Sequence, residues 1–239
     1  MKVQIFFVDC QRDFINDGGA LQVPGAPTIV ENLKKLHAAA KEDVTRVFTQ
    51  DTHVDTDVEI SETPDFKTTF PPHCLINTDG VEFLDEIKPS KPYEKNNTAQ
   101  YFGYTMRLED LLKNDLSEHV LEGQDFVFNK HIFSTFDGNP NAKVFVEATK
   151  PDIIFICGVA GDVCVKAVVE SLDDLNIERY RLGKKEFKIA VVKDAIKSLN
   201  EAEANNYFSH LEKEGYIFLV DTDYVVKFLD MVEGIGDNL

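Results

Sequence analysis

The chain has 239 residues, with 42 acidic against 25 basic side chains and a formal net charge of −17. That balance disfavours nucleic acid or an anionic membrane surface as a partner, no apolar run is long enough to span a bilayer, and the first residues lack a signal-peptide pattern. The four cysteines, Cys10, Cys74, Cys157 and Cys164, are too few for a disulfide framework in a chain of this size, so the expectation is a reduced, cytoplasmic protein.

Val3–Val8 is an apolar run of strand length that ends in Asp9-Cys10-Gln11-Arg12-Asp13-Phe14. A carboxylate at the C-terminal end of a buried strand is where open α/β sheets put their chemistry; a turn or capping role is the plain alternative for Asp9. After a glycine-containing loop a helix is predicted from about Pro27 to Ala40, with Ile29, Val30, Leu33 and Leu36 on one face. A second strand, Val44–Phe48, leads into Thr49-Gln50-Asp51-Thr52-His53. Asp51 and His53 are two apart, so an extended chain points both side chains the same way. In Phe70-Pro71-Pro72-His73-Cys74 the two prolines stiffen the backbone that carries His73. Carboxylate and imidazole together suit zinc, iron or manganese, although solvated loop histidines are the commoner explanation of such residues. Asp57, Glu59 and Glu62 are further oxygen donors among which the sequence does not choose.

Residues 80–124 read as an excursion within one domain spanning 1–239, with a short helix over 81–87 and another over 107–116. A third strand, Asp125–Phe128, is followed by Lys130, and then by a turn with two aromatics, Phe133 and Phe136. Most lysines are solvated surface residues, so Lys130 alone is a weak signal. The remainder alternates: a helix over 142–148, a strand over 153–157, a helix to Leu175, a strand over 187–192, a helix over 201–213, a strand over 216–220 and a last helix over 222–231. Alternation of this kind predicts a three-layer α/β/α architecture around a mostly parallel six-stranded sheet. Asp9, Asp51, Lys130 and Cys164 then emerge at one rim.

The stretch Cys157-Gly158-Val159-Ala160-Gly161-Asp162-Val163-Cys164-Val165 hands a strand over to a helix through small residues. Asp162 is the expected N-cap, and Cys164 falls in the first helical turn. Free N–H groups and the helix dipole there favour a thiolate and can receive an oxyanion. A small buried core residue is the plain alternative for a lone cysteine.

These segments, in this order, resemble the isochorismatase-like cysteine hydrolases, and within them the nicotinamidase (pyrazinamidase) branch. Val8-Asp9-Cys10-Gln11-Arg12-Asp13-Phe14 with Gly18-Gly19-Ala20-Leu21 and Val23-Pro24-Gly25 resembles the family's opening segment. Asp51-Thr52-His53 and Phe70-Pro71-Pro72-His73-Cys74 resemble its metal-ligand segments, Lys130 with Phe133-Ser134-Thr135-Phe136 its lysine segment, and Gly158 to Val165 its nucleophile segment. The resemblance implies a Rossmann-like hydrolase fold and a catalytic triad of Cys164 as nucleophile, Asp9 as base and Lys130 holding the charges. It implies an oxyanion hole from the amides of Ala160 and Cys164, with a cis peptide before Ala160. It also implies one divalent transition metal on Asp51, His53 and His73, with zinc first and iron or manganese as alternatives, set apart from the triad. Phe14, Phe70 and Phe133 would wall the substrate ring. The implied activity is hydrolysis of nicotinamide, a small carboxamide, to nicotinate and ammonia in NAD salvage, by a homo-oligomer. The alternatives are a relative acting on a carbamoyl or ureido substrate without metal, and a non-catalytic interaction domain on the same fold. The chain departs from the pattern in having no tryptophan, in Phe70 and Phe133 where relatives carry Trp or Tyr, and in Glu59 roughly where some carry another histidine ligand.

Overall fold

Strands buried on both faces read as continuous apolar runs rather than alternating ones, and Val3–Val8 (β1) is such a run, with all six residues buried. In the computed structural model, which describes residues 1–41, 43–89 and 125–236, β1 is joined by β2 (Val44–Asp51), β3 (Asp125–Lys130), β4 (Ile153–Val159), β5 (Lys188–Lys197) and β6 (Phe218–Val220). All neighbours pair in parallel, in the order β3-β2-β1-β4-β5-β6. Seven α-helical segments lie among the described residues. They are α1 (Arg12–Ile15), α2 (Val30–Ala39), α3 (Thr135–Gly138), α4 (Asn141–Thr149), α5 (Cys164–Arg181), α6 (Glu201–Glu214) and α7 (Thr222–Gly236).

The pleat of β1 sends Val3, Ile5 and Phe7 to one face, where they meet Leu33 and Leu36 of α2 and Val225 and Leu229 of α7. Phe6 and Val8 go to the other, against Phe145 and Val146 of α4, Val168 and Leu172 of α5 and Phe208 of α6. Each such side chain contributes about 1.5–3 kcal/mol when fully buried. The expected three-layer α/β/α fold is therefore present. The strand order reverses direction between β1 and β4, and a crevice at the carboxyl ends of the strands at such a point is where ligands bind in open sheets. No helix among the described residues is long and apolar enough to cross a membrane.

The boundaries differ from expectation in instructive places. Strands β2 and β3 run on to Asp51 and Lys130, so these side chains sit at the ends of strands and not in the loops after them. Strand β5 continues to Lys197 across a break in its register with β4 between Ile156 and Gly158. The expected helix over 81–87 is a single 3-10 turn, Asp79–Val81, followed by turns, and the helix expected over 107–116 lies outside the described residues. Helix α5 extends past Leu175 to Arg181, and β6 begins at Phe218.

Gly158 of β4 pairs with Val8 of β1. Its φ is +117°, and a Cβ built there would meet the Val8 carbonyl oxygen at 2.0 Å. Gly158→Ala adds left-handed strain to a backbone clash. It should lower unfolding stability by more than about 2 kcal/mol in denaturant melts. Gly183→Ala, at φ +66° with nothing within 4 Å, should cost less.

Candidate active site

Four strand ends and one helix start meet at the rim. Asp9 follows β1 directly, with a left-handed φ of +46°, a conformation uncommon for a residue with a side chain and frequent at functional sites. Its buried carboxylate is held on one side by Thr49, whose hydroxyl donates to Oδ1 at 2.6 Å while accepting from the Asp9 amide at 3.0 Å. On the other side Lys130 Nζ lies 2.9 Å from Asp9 Oδ2. The same ammonium donates to Asp51 Oδ1 and stands 3.9 Å from Cys164 Sγ. The approach to Asp9 Oδ2 is that of an ion pair, and among the described residues that oxygen has no further hydrogen-bond partner. Asp9, Lys130 and Cys164 are all buried, and ligand atoms of Asp9, Asp51 and Cys164 lie within 4.8 Å of one another.

Cys164 opens α5, as expected, but Asp162 does not cap it. Val163 is the N-cap residue and offers no side-chain bond. The Asp162 carboxylate instead accepts from the amides of Leu199 and Asn200 at 2.9 and 2.7 Å, which ties the nucleophile turn to the segment after β5. The Val159–Ala160 peptide is cis. Among the described residues the amides of Ala160 and Cys164 meet no backbone acceptor. The expected lowering of the Cys164 pKa is corrected: burial pushes the thiol well above its ordinary value, and the Lys130 ammonium opposes this without reversing it. Burial likewise raises the Asp9 carboxyl, against Lys130 and Thr49. Burial acts in the same sense on Asp51, yet Lys130 and the two neighbouring imidazoles outweigh it and hold this carboxyl well below the usual range.

Asp51, His53 and His73 bring ligand atoms within 4.8 Å of one another. His53 Nδ1 is tied to Asp57 Oδ2 at 3.1 Å and His73 Nδ1 to the Pro71 carbonyl at 2.7 Å. Their Nε2 atoms face Asp51 at 3.7 and 3.8 Å, beyond hydrogen-bond range. Among the described residues His53 Nε2 is buried without a hydrogen-bond partner. An imidazole fixed through one nitrogen with the other left open toward a carboxylate is the arrangement of a metal ligand, and this donor set suits a transition metal. Asp57 supports His53 instead of joining the cradle. Glu59 accepts from the Phe133 amide at 2.8 Å, and Glu62 is exposed. The expectation that the cradle stands apart from the triad does not hold, because Asp51 belongs to the cradle and is ion-paired to Lys130.

A pocket opens over these groups, lined by Phe14, Phe70 and Phe133, and by Leu21, Val23, Glu59, Val163 and Leu199 as well as Asp51, His73, Ala160 and Cys164. Phe14 lies 5.3 Å from the His73 ring. Sequence reasoning passed over Thr49 and Gln11. The Gln11 side chain donates to the Asp51 and Val81 carbonyls and accepts from the Asp51 amide, each at 2.8 Å, so it fixes the backbone of Asp51. Thr49 carried a signal, a polar residue directly after the apolar Val47-Phe48 of its strand, and buried polar side chains need partners; Gln11, between Cys10 and Arg12, carried none.

The profile described as the isochorismatase domain matches residues 3–121 and 115–222. The chain belongs to the isochorismatase family. The nicotinamidase/pyrazinamidase of Mycobacterium tuberculosis (strain ATCC 25618 / H37Rv) is 32% identical over 104 residues, 42% of this chain and 55% of that protein, so the match spans about half the length of this curated relative. Two proteins of known structure share the fold. The N-carbamoylsarcosine amidase of Thermoplasma acidophilum superposes with a TM-score of 0.63 at 23% identity, covering 93% of this chain and 98% of its own. The pyrazinamidase of Pyrococcus horikoshii, in complex with zinc, gives 0.62 at 21% identity, covering 92% and 99%.

Two outcomes are expected from this geometry. Thr49→Val keeps the shape but leaves the Asp9 amide and one carboxylate oxygen unpaired in the interior. It should cost about 1–3 kcal/mol of unfolding stability, with Thr49→Ser recovering most of it. Burial pushes Glu59 up to about 7 from its ordinary value of 4.5, against the Phe133 amide and Lys130. The native state then holds the extra proton between those values, so this group's contribution is fully present below the unfolded pKa and is lost as pH rises through about 7. In metal-stripped protein, urea melts across that window should show a smaller fall in stability for Glu59→Gln than for wild type.

Proposed function

We propose that this chain is a metal-assisted cysteine amidohydrolase that converts nicotinamide to nicotinate and ammonia through a thioester. The observation that carries this reading is the buried Lys130 ammonium in contact with Asp9, Cys164 and Asp51, beside a two-histidine cradle and beneath an aromatic-walled pocket.

In this reading Cys164 rests as a thiol, since burial raises its pKa, and is deprotonated as it attacks. Asp9 is the base. Its raised pKa brings its proton affinity closer to the thiol's, as general-base transfer requires, and Oδ2 has acceptor capacity to spare. Sγ adds to the carboxamide carbon, and the charge that develops on oxygen is met by the amides of Ala160 and Cys164. The proton on Asp9 passes to the departing nitrogen, the C–N bond breaks and ammonia leaves a thioester. Water then attacks the thioester carbon, giving its proton to Asp9; the acid departs and the proton returns to sulfur. Lys130 stays protonated throughout, because its two carboxylates outweigh the burial that opposes its charge. Asp51, His53 and His73 would hold a divalent transition metal, zinc before iron or manganese, which supplies a Lewis-acid contact for the ring nitrogen. Phe14, Phe70 and Phe133 pack the ring faces. The reading places the enzyme in cytoplasmic NAD salvage, as a homo-oligomer.

The test is ammonia release from nicotinamide. Cys164→Ala should abolish turnover with an unchanged far-ultraviolet spectrum, whereas Cys10→Ala and Cys157→Ala should keep most of it; turnover by Cys164→Ala would remove the cysteine-hydrolase reading. Elemental analysis should find about one transition metal per chain, the occupancy of one three-ligand site with an open position, and less in His53→Ala and His73→Ala. Benzamide lacks the ring nitrogen and should be a poor substrate. Stripping the metal should narrow the gap between the two amides, and an unchanged ratio would move the assignment toward an amidase of another carboxamide or carbamoyl group.

A further inference from the structure

The Lys130 ammonium touches two carboxylates with different duties. Nζ lies 2.9 Å from Asp9 Oδ2 and donates to Asp51 Oδ1. That same Asp51 Oδ1 is 3.7 Å from His53 Nε2, and Oδ2 is 3.8 Å from His73 Nε2. Any cation held by the three ligands therefore shares a carboxylate with the ammonium. Lys130, Asp9, Asp51 and His53 are each no more than 2% exposed, so solvent and salt screen these charges weakly.

We propose that Lys130 sets the metal affinity of the Asp51–His53–His73 cradle by competing with the cation for Asp51, and that Asp9 tunes this competition by drawing the ammonium toward itself. The inference rests on the metal part of the proposed function and extends it, since it makes two residues outside the ligand set determinants of affinity. Without the ammonium, Asp51 offers its full charge and a nearby positive charge is gone, so a divalent cation binds more tightly. Without the Asp9 charge, the ammonium is left to Asp51 alone and the field at the cradle is less negative, so the cation binds more loosely. The two substitutions thus act with opposite signs. Loosening of the fold would lower affinity in both.

The experiment is a zinc titration of the full chain, stripped and folded, in competition with a chromophoric chelator at one pH and ionic strength. All variants carry Cys164→Ala, which prevents zinc from using the thiolate near Asp9 and Asp51. Lys130→Met should bind zinc at least about tenfold more tightly, and Asp9→Asn more weakly by a similar factor. The double variant should fall between them. Lys130→Gln replaces Lys130→Met, with the same expected sign, should the latter fail to fold by circular dichroism. Equal or weaker zinc binding in the lysine variant, or equal or tighter binding in Asp9→Asn, overturns the inference. His53→Ala and His73→Ala separate the two failures. If they bind zinc as the parent does, or the parent binds none, the cradle itself is wrong; if they lose zinc while Lys130 and Asp9 leave affinity unmoved, only the competition is.

Discussion

A single buried ammonium between two carboxylates constrains the rest of the molecule. Desolvating Lys130, Asp9 and Asp51 is costly, and removing one partner from such a group strands a buried charge at a cost of about 3–5 kcal/mol. The contacts exist only because three adjacent strands end in the right register. Asp51 and Lys130 are direct partners in the β2–β3 ladder, and the ladder is extended one step by the Thr52 amide on the Lys130 carbonyl at 2.8 Å. On the other side, Phe7 pairs with Phe48, which brings Asp9 and Thr49 together. A one-residue slip of β3 would turn Lys130 to the opposite face of the sheet. The apolar core selects the same register, through Phe126 and Phe128 packed on Phe145 at 4.6 and 5.4 Å. Core and charge cluster therefore specify one alignment, and neither could shift without the other.

This explains which parts of the fold were legible in the sequence. The strand interiors are apolar and β-branched, and all six were recognisable from composition and spacing. The ends of β2 and β3 were read short because Thr49-Gln50-Asp51 and Asn129-Lys130 look like loop. They are strand residues whose polarity serves the site, so the local pattern conflicts with the global structure where function is placed. The short helix Arg12–Ile15 was hidden for a related reason. It has no side-chain cap, and it is held by long-range bonds such as the Arg12 amide on the Glu82 carbonyl at 2.9 Å. No window of sequence contains that information.

The candidate site was legible as a set of residues but not as a network. Asp9, Asp51, His53, His73, Lys130 and Cys164 could be named from motif and position. What joined them could not. Asp162, which reads as an N-cap, braces a neighbouring loop, and Gln11 clamps the backbone of a residue 40 positions away. The ion pair between Lys130 and Asp51 makes one centre of what read as two. Such links depend on strand order and register, which are properties of the assembled sheet.

The same assembly divides labour between two chemically identical side chains. Asp9 and Asp51 are both buried against Lys130, yet their proton affinities move in opposite directions. Asp51 has the ammonium and two imidazoles around it and stays ionised, which suits a carboxylate that must hold a cation. Asp9 has Thr49 and a share of the ammonium, with the Asp51 charge working against its ionisation, which suits a carboxylate that must accept a proton. Environments that push a pair of carboxylates apart are how one site supports two roles at one pH. Here the separation follows from neighbours on adjacent strands: the position after β1 faces a threonine, and the last residue of β2 faces two histidines.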